Sequence, residues 1–140
     1  MDLTEASAVI TGGASGIGEA SARKLSALGA RCVIVDLQDD KGEAVAKELG
    51  GLYVKADVAN EEQVQAAMDA AMEMGPLRAL VNGAGIGSAS RTVDRNGEPM
   101  PLAQFEFVTR VNLIGTFNCT RLGAATMAKT EPIDDDGQRG

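Results

Sequence analysis

Short, largely apolar runs recur along this chain, each separated from the next by a stretch with helical spacing. The runs are Ser7 to Thr11 (SAVIT), Cys32 to Asp36 (CVIVD), Leu52 to Asp57 (LYVKAD) and Ala79 to Asn82 (ALVN). The first two are continuous rather than alternating, which is the pattern of strands covered on both faces. Between them, Gly16 to Leu28 puts Ile17, Ser21, Leu25 and Leu28 on one helical face, with Gly29 placed as a C-cap glycine. Asp40 to Leu49 reads as a short helix closed by Gly50-Gly51. Glu61 to Met74 carries Val64, Ala67, Met68, Ala71 and Met72 at i, i+3, i+4 spacing, with Asn60 as N-cap and Gly75-Pro76 as the stop. A polar loop from Ser88 to Met100 precedes a long helix from Pro101 to roughly Met127. The order β-α-β-α-β-α-β-loop-α predicts an α/β fold, a doubly wound parallel sheet joined by right-handed crossovers.

A chain of 140 residues suffices for one domain with a real core. We read residues 1–129 as that domain and 130–140 (TEPIDDDGQRG) as an exposed connector. A four-stranded sheet followed by such a connector is expected to be incomplete, with an uncovered edge and an uncovered helix face. A net charge of −7 argues against nucleic acid or an anionic membrane as partner, since phosphate contacts need clustered Lys and Arg. No apolar run is long enough to span a bilayer, and Met1 to Glu5 has neither the basic nor the apolar region of a leader, so a cytoplasmic location is expected. Histidine is absent, which removes Ser-His hydrolysis and His-ligated zinc. Cys32 and Cys119 lack metal or redox spacing and are expected to be buried thiols; no metal site is expected.

Five features carry chemistry. Thr11-Gly12-Gly13-Ala14-Ser15-Gly16-Ile17-Gly18 joins the first strand to the first helix. Gly12 permits the tight turn, Gly16 and Gly18 let a diphosphate approach the helix N-terminus, and Ser15 offers a hydroxyl and an N–H. Asp36 closes the second strand about 20 residues beyond the glycines, where a carboxylate accepts from the ribose 2′-OH of NAD and repels the 2′-phosphate of NADP. Ala14, Ser15 and Leu37 beside it supply no cation for that phosphate. Asp57-Val58 and Asn82-Gly83-Ala84-Gly85 close the third and fourth strands, at the edge where open α/β sheets bind ligands; either alone is also an ordinary turn. Asn112 shares a helical stripe with Phe105 and Val108, a polar amide on an expected buried face, with a structural role and a water-binding role both open.

Together these residues resemble the short-chain dehydrogenase/reductase family, whose fold is Rossmann-like, and the resemblance runs from the first strand to the helix of Asn112. Gly83 stands where the family usually has a second Asn. Cys32 to Asp36, Val111 to Cys119 and the stretch from Thr130 to Gly140 are similar to the branch of 3-hydroxyacyl-CoA dehydrogenases that also accept hydroxysteroids. The resemblance implies an NAD-dependent oxidoreductase acting on a small-molecule secondary alcohol, and a homo-oligomer. It implies a Ser with a Tyr-x-x-x-Lys pair acting on the substrate hydroxyl, and an Asn, matched by Asn112, holding a water that links the Lys to solvent.

No Tyr-x-x-x-Lys occurs here: Tyr53 is the sole tyrosine, and Asp57 lies four positions on. The chain is therefore expected to be the front part of a longer enzyme, or a naturally short product, and inactive by itself. A non-catalytic nucleotide-binding fragment or pseudoenzyme acting through protein interaction is the alternative. A methyltransferase using S-adenosylmethionine fits less well, given the wide glycine spacing and the Asn82 cluster.

Overall fold

The computed structural model describes residues 3–140; Met1 and Asp2, part of the stretch considered for a leader, lie outside them. Four strands alternate with helices: β1 Ser7–Thr11, α1 Gly16–Ala27, β2 Arg31–Asp36, α2 Asp39–Leu49, β3 Leu52–Lys55, α3 Glu61–Met74 and β4 Leu77–Asn82. Then come α4 Leu102–Thr109, a π-helical segment Arg110–Gly115 and α5 Thr116–Met127. All strand pairs are parallel and the sheet order is β3-β2-β1-β4. The expected doubly wound α/β sheet is what the chain forms.

Strand periodicity of two sorts the core into two layers. Ala8, Ile10, Cys32 and Ile34 meet Ala22 of α1 with Val45 and Ala46 of α2 on one face. Val9, Val33 and Val35 meet Val64, Ala67, Met68 and Ala71 of α3 with Cys119 and Leu122 of α5 on the other. Each valine, isoleucine or methionine among them that is fully removed from water contributes roughly 1.5–3 kcal/mol before entropy is counted, and each alanine methyl less than about 1 kcal/mol. Both cysteines are free and buried.

Helix ends follow their caps. Asn60 Oδ1 accepts from the Gln63 N–H at 3.0 Å, and α2 ends on Gly50 in the left-handed region at φ +64°. Three elements depart from the sequence-based reading. In α1 the buried positions are Gly18 and Ala22, while Ile17 is 83% exposed and Leu28 is exposed too. The helix turns its smallest residues to the sheet because that lets its axis come close; of the expected stripe Leu25 still packs against this layer, while Ile17 and Leu28 face outward. Strand β3 stops at Lys55, leaving Asp57-Val58 in the turn beyond it.

The long last helix is interrupted. Around Asn112 the backbone switches to π-helical bonding, which inserts an extra residue per turn and shifts the stripe out of register. Phe105 is 58% exposed, α4 buries no residue, and Asn112 is exposed rather than buried.

Thr130 to Gly140 is mostly exposed yet fastened. The Arg78 guanidinium of β4 donates to Thr130 Oγ1 at 2.6 Å and to the carbonyls of Arg139 and Glu131 at 2.7 and 2.9 Å. No helix of the described residues is long and apolar enough to cross a membrane.

Candidate functional site

The strand order reverses at β1. The chain steps outward from β1 to β2 and β3, then returns by α3 to place β4 on the far side of β1. Crevices open beyond the carboxyl ends of strands at such a reversal, and four of the five sequence features converge there.

The turn after β1 and the turn after β4 are interlocked. A side chain on Gly12 would put its Cβ 2.6 Å from the Ala84 nitrogen, and one on Gly83 would sit 2.7 Å from the Thr11 carbonyl oxygen. A methyl on Gly18 would strike the Gly12 carbonyl, its Cβ 2.6 Å from the carbonyl carbon. The Gly83 N–H donates to the Thr11 carbonyl at 3.0 Å, and the Ala84 N–H donates to Thr11 Oγ1 at 3.2 Å. Gly12, Gly18 and Gly83 are thus small because three backbones meet.

Gly16 is different. It takes φ +56°, and a Cβ built on it would meet nothing within 4 Å. The N-terminus of α1 faces open space at this residue. Ser15 is its N-cap but its side chain makes no cap bond, so the first-turn N–H groups are left to an external acceptor. Exposed Ile17 projects from the same turn. Amides at a helix start, a free hydroxyl and a positive macrodipole end form a donor set suited to a diphosphate.

Asp36 sits beside this turn, half-buried. Its Oδ2 accepts from the Ala14 N–H at 3.1 Å, while Oδ1 accepts from the N–H groups of Leu37 and Gln38 at 2.8 and 3.1 Å. Each carboxylate oxygen has two acceptor positions, so Oδ2 keeps one for a ligand hydroxyl. The same residue therefore braces the glycine turn and presents an acceptor over it.

The other motifs are held by the interrupted helix. Asn112 grips Ile86 at both ends, accepting from its N–H at 2.9 Å and donating to its carbonyl at 2.8 Å. The turn of Gly83 to Gly85 is thereby fixed from its far side. The Thr116 hydroxyl donates to the Asn112 carbonyl at 2.7 Å. Asn82 donates to Thr120 Oγ1 at 3.1 Å. Val58 is buried against Gly115, while Asp57 is half-buried, its Oδ1 accepting from the Ala59 N–H at 2.9 Å.

Two contributors were not apparent from sequence. Asn118, not Asn112, is the buried amide of this helix: its Nδ2 donates to the Val58 carbonyl at 2.9 Å and its Oδ1 accepts from Arg121 at 2.8 Å. Lys55 is the second. It is the register partner of Asp36 on the neighbouring strand, so a cation does lie near the acid, which inspection of Ala14, Ser15 and Leu37 missed. Strand register was the signal that would have found it.

Around the Ser88 to Met100 loop, Arg91, Asp94, Arg95 and Glu98 are all exposed. The two thiols lie away from the crevice in the core layers; burial raises the Cys32 pKa and pushes Cys119 up to about 11. Among the described residues no three metal-ligating side chains gather.

The family model for short chain dehydrogenase matches residues 6–133. The 3-hydroxyacyl-CoA dehydrogenase type-2 of Homo sapiens is 47% identical over 137 residues, 95% of this chain and 52% of that protein. The Rattus norvegicus protein of the same name is 45% identical over the same share. A mitochondrial borneol dehydrogenase of Lavandula x intermedia is 40% identical over 86% of this chain and 46% of its own length. A crystal structure of 3-hydroxyacyl-CoA dehydrogenase type-2 from Mycobacterium avium superposes with a TM-score of 0.91 at 44% identity, covering 97% of this chain and 54% of that one. The chain spans about half the length of the curated relatives it matches.

Proposed function

The chain belongs to the short-chain dehydrogenase family, and on that premise we propose that it binds NAD across the carboxyl edge of the sheet and forms the cofactor half of an oxidoreductase. The observation that carries this reading is the N-terminus of α1, open at Gly16 and lacking a side-chain cap, beside a carboxylate with an uncommitted acceptor position on Oδ2. Gly12, Ser15, Gly16, Ile17 and Gly18 hold the diphosphate, and Asp36 holds the adenosine ribose. Asp57, Val58, Asn82, Gly83, Ala84 and Gly85 line the remainder.

The nicotinamide, when bound, supplies the hydride acceptor. The residues of this chain bind and orient it, and the interlocked glycine turns keep side chains out of its way. Asn112 is the one residue assigned to catalysis, through the water-holding role that the family resemblance implies. Its grip on Ile86 and its π-helical setting support a position set by tertiary contacts, and single-turn π interruptions are frequent at functional sites. Tyr53 is bonded to Asp39 and has no lysine four positions on, so no general base of the family type is supplied by these 140 residues. By themselves they are expected to bind cofactor without turnover.

The substrate class we assign is a secondary alcohol borne by a 3-hydroxyacyl-CoA, after the relatives' names. A homo-oligomer is supported by the exposed Phe105, Phe107, Leu113, Ile114 and Phe117 along one helical stretch, and a cytoplasmic location completes the reading.

Calorimetric titration with NADH and NADPH tests it. Wild type is expected to prefer NADH, and Asp36→Ala to narrow that preference by roughly 10- to 100-fold, the worth of a hydrogen bond to a charged group. An unchanged affinity ratio removes the role of Asp36; a folded protein that takes up neither dinucleotide at millimolar concentration removes the whole reading.

A further inference from the structure

Beyond Asp36 lies a polar corner that the proposed cofactor site does not use. Tyr53 and Lys55 alternate on β3 and therefore share a face, the face on which α2 packs. Both reach Asp39, the first residue of α2. Tyr53 Oη lies 2.9 Å from Asp39 Oδ1 and 3.0 Å from the Asp36 carbonyl oxygen, and Lys55 Nζ donates to Asp39 Oδ2 at 2.6 Å. The Cδ2–Cε2 edge of the Tyr53 ring lies against Gly42, where any side chain would overlap it, so the hydroxyl is aimed by packing. The Lys55 ammonium first, and the Tyr53 hydroxyl second, hold the Asp39 carboxyl below its ordinary value of 3.8.

Resting on the ribose assignment of Asp36, we infer that Asp39 is a second selectivity residue: by engaging Lys55, it keeps the ammonium that β3 brings alongside Asp36 from serving a 2′-phosphate. Adjacent parallel strands are about 4.8 Å apart, and a lysine stem spans more than that. Lys55 is thus within reach of whatever Asp36 faces, and an engaged partner is what removes it. Selectivity then has two parts, repulsion by Asp36 and sequestration by Asp39. The 2′-phosphate discriminated against is a dianion on the adenosine ribose, the class of ligand to which a released Lys55 would respond.

The test is a double-mutant cycle on the intact chain, read by calorimetry with adenosine 2′,5′-bisphosphate and 5′-AMP. Asp39→Asn is expected to raise the bisphosphate-to-AMP affinity ratio roughly fivefold, the range of an exposed ion pair. Lys55→Met in wild type should leave the ratio within about twofold, and in the Asp39→Asn background should abolish the gain. Tyr53→Phe loosens the same corner but leaves Lys55 paired, so it should not raise the ratio. The inference is overturned if Asp39→Asn leaves the ratio unchanged, if Lys55→Met does not cancel the gain, or if Tyr53→Phe matches Asp39→Asn. Asp36→Ala serves as the separate arm: a shift there with none at Asp39 removes this inference alone, whereas no shift there removes the ribose assignment beneath it.

Discussion

Replacing Gly18 with alanine adds one methyl group where three backbones already meet. Two effects oppose each other. Gly18 lies in the first turn of α1, and alanine in a helix is favoured over glycine by about 0.8–1 kcal/mol. Against this, the new Cβ would stand 2.6 Å from the Gly12 carbonyl carbon and 3.1 Å from the Gly13 nitrogen. Carbon atoms at rest are about 3.5–4 Å apart, so α1 or the turn must move by close to 1 Å. The obstacle is backbone in a turn locked to Ala84 and Gly83, so nothing flexible can yield. Overpacking of this kind costs roughly 1–3 kcal/mol, occasionally more, and here the upper part of that range applies. Overlap wins, leaving a net loss of about 2 kcal/mol, or a drop in Tm on the order of 4–8 °C for a chain of this size. Gly16→Ala is the comparison: it has open space and loses only the left-handed preference, about 1 kcal/mol. Urea and thermal unfolding followed by circular dichroism measure both. A Gly18→Ala protein as stable as wild type, or one more stable than Gly16→Ala, refutes the argument.

Three further outcomes are expected. Asn118→Ala leaves the Val58 carbonyl without its buried donor and should cost about 1–3 kcal/mol in urea unfolding, whereas Asn112→Ala, at an exposed residue, should cost less. Cys119, with its thiol pushed up to about 11 by burial, should resist alkylation at pH 8.5 until the chain unfolds, so its labelling rate should track global stability in urea. The Asp39 carboxyl is held low by Lys55, so the stability it adds is present above the ordinary value of 3.8 and is lost as pH falls through its folded value; NMR titration should place its midpoint below that of an unpaired aspartate.

The sheet was legible because both faces of β1 and β2 are buried: Ala8, Val9 and Ile10 are all fully enclosed, and only a two-sided core makes a run of that kind. The glycine turn and Asp36 were legible because their spacing is dictated by the length of one β-α-β unit. The packing face of α1 was not. Apolar periodicity picks the bulkiest stripe, and here close approach to the sheet selected Gly18 and Ala22 instead, leaving Ile17 in solvent. Lys55 was missed for a related reason, since its neighbourhood is fixed by inter-strand register and not by anything adjacent in the chain.

The misread helix locates where the fold departs from regularity and what the departure achieves. A continuous helix of period 3.6 would put Phe105, Val108 and Asn112 on one stripe. The π-helical segment Arg110–Gly115 shifts everything before it relative to everything after it. At its end the segment closes its small Gly115 onto Val58, and just behind it α5 sets its Asn118 amide on the Val58 carbonyl. Within it, Asn112 bonds both main-chain groups of Ile86. One interrupted helix therefore fixes the turns after β3 and β4 at the same time. The exposed apolar side chains run across the interruption, from Phe105 and Phe107 of α4 through Leu113 and Ile114 to Phe117 of α5, and have no cover among the described residues.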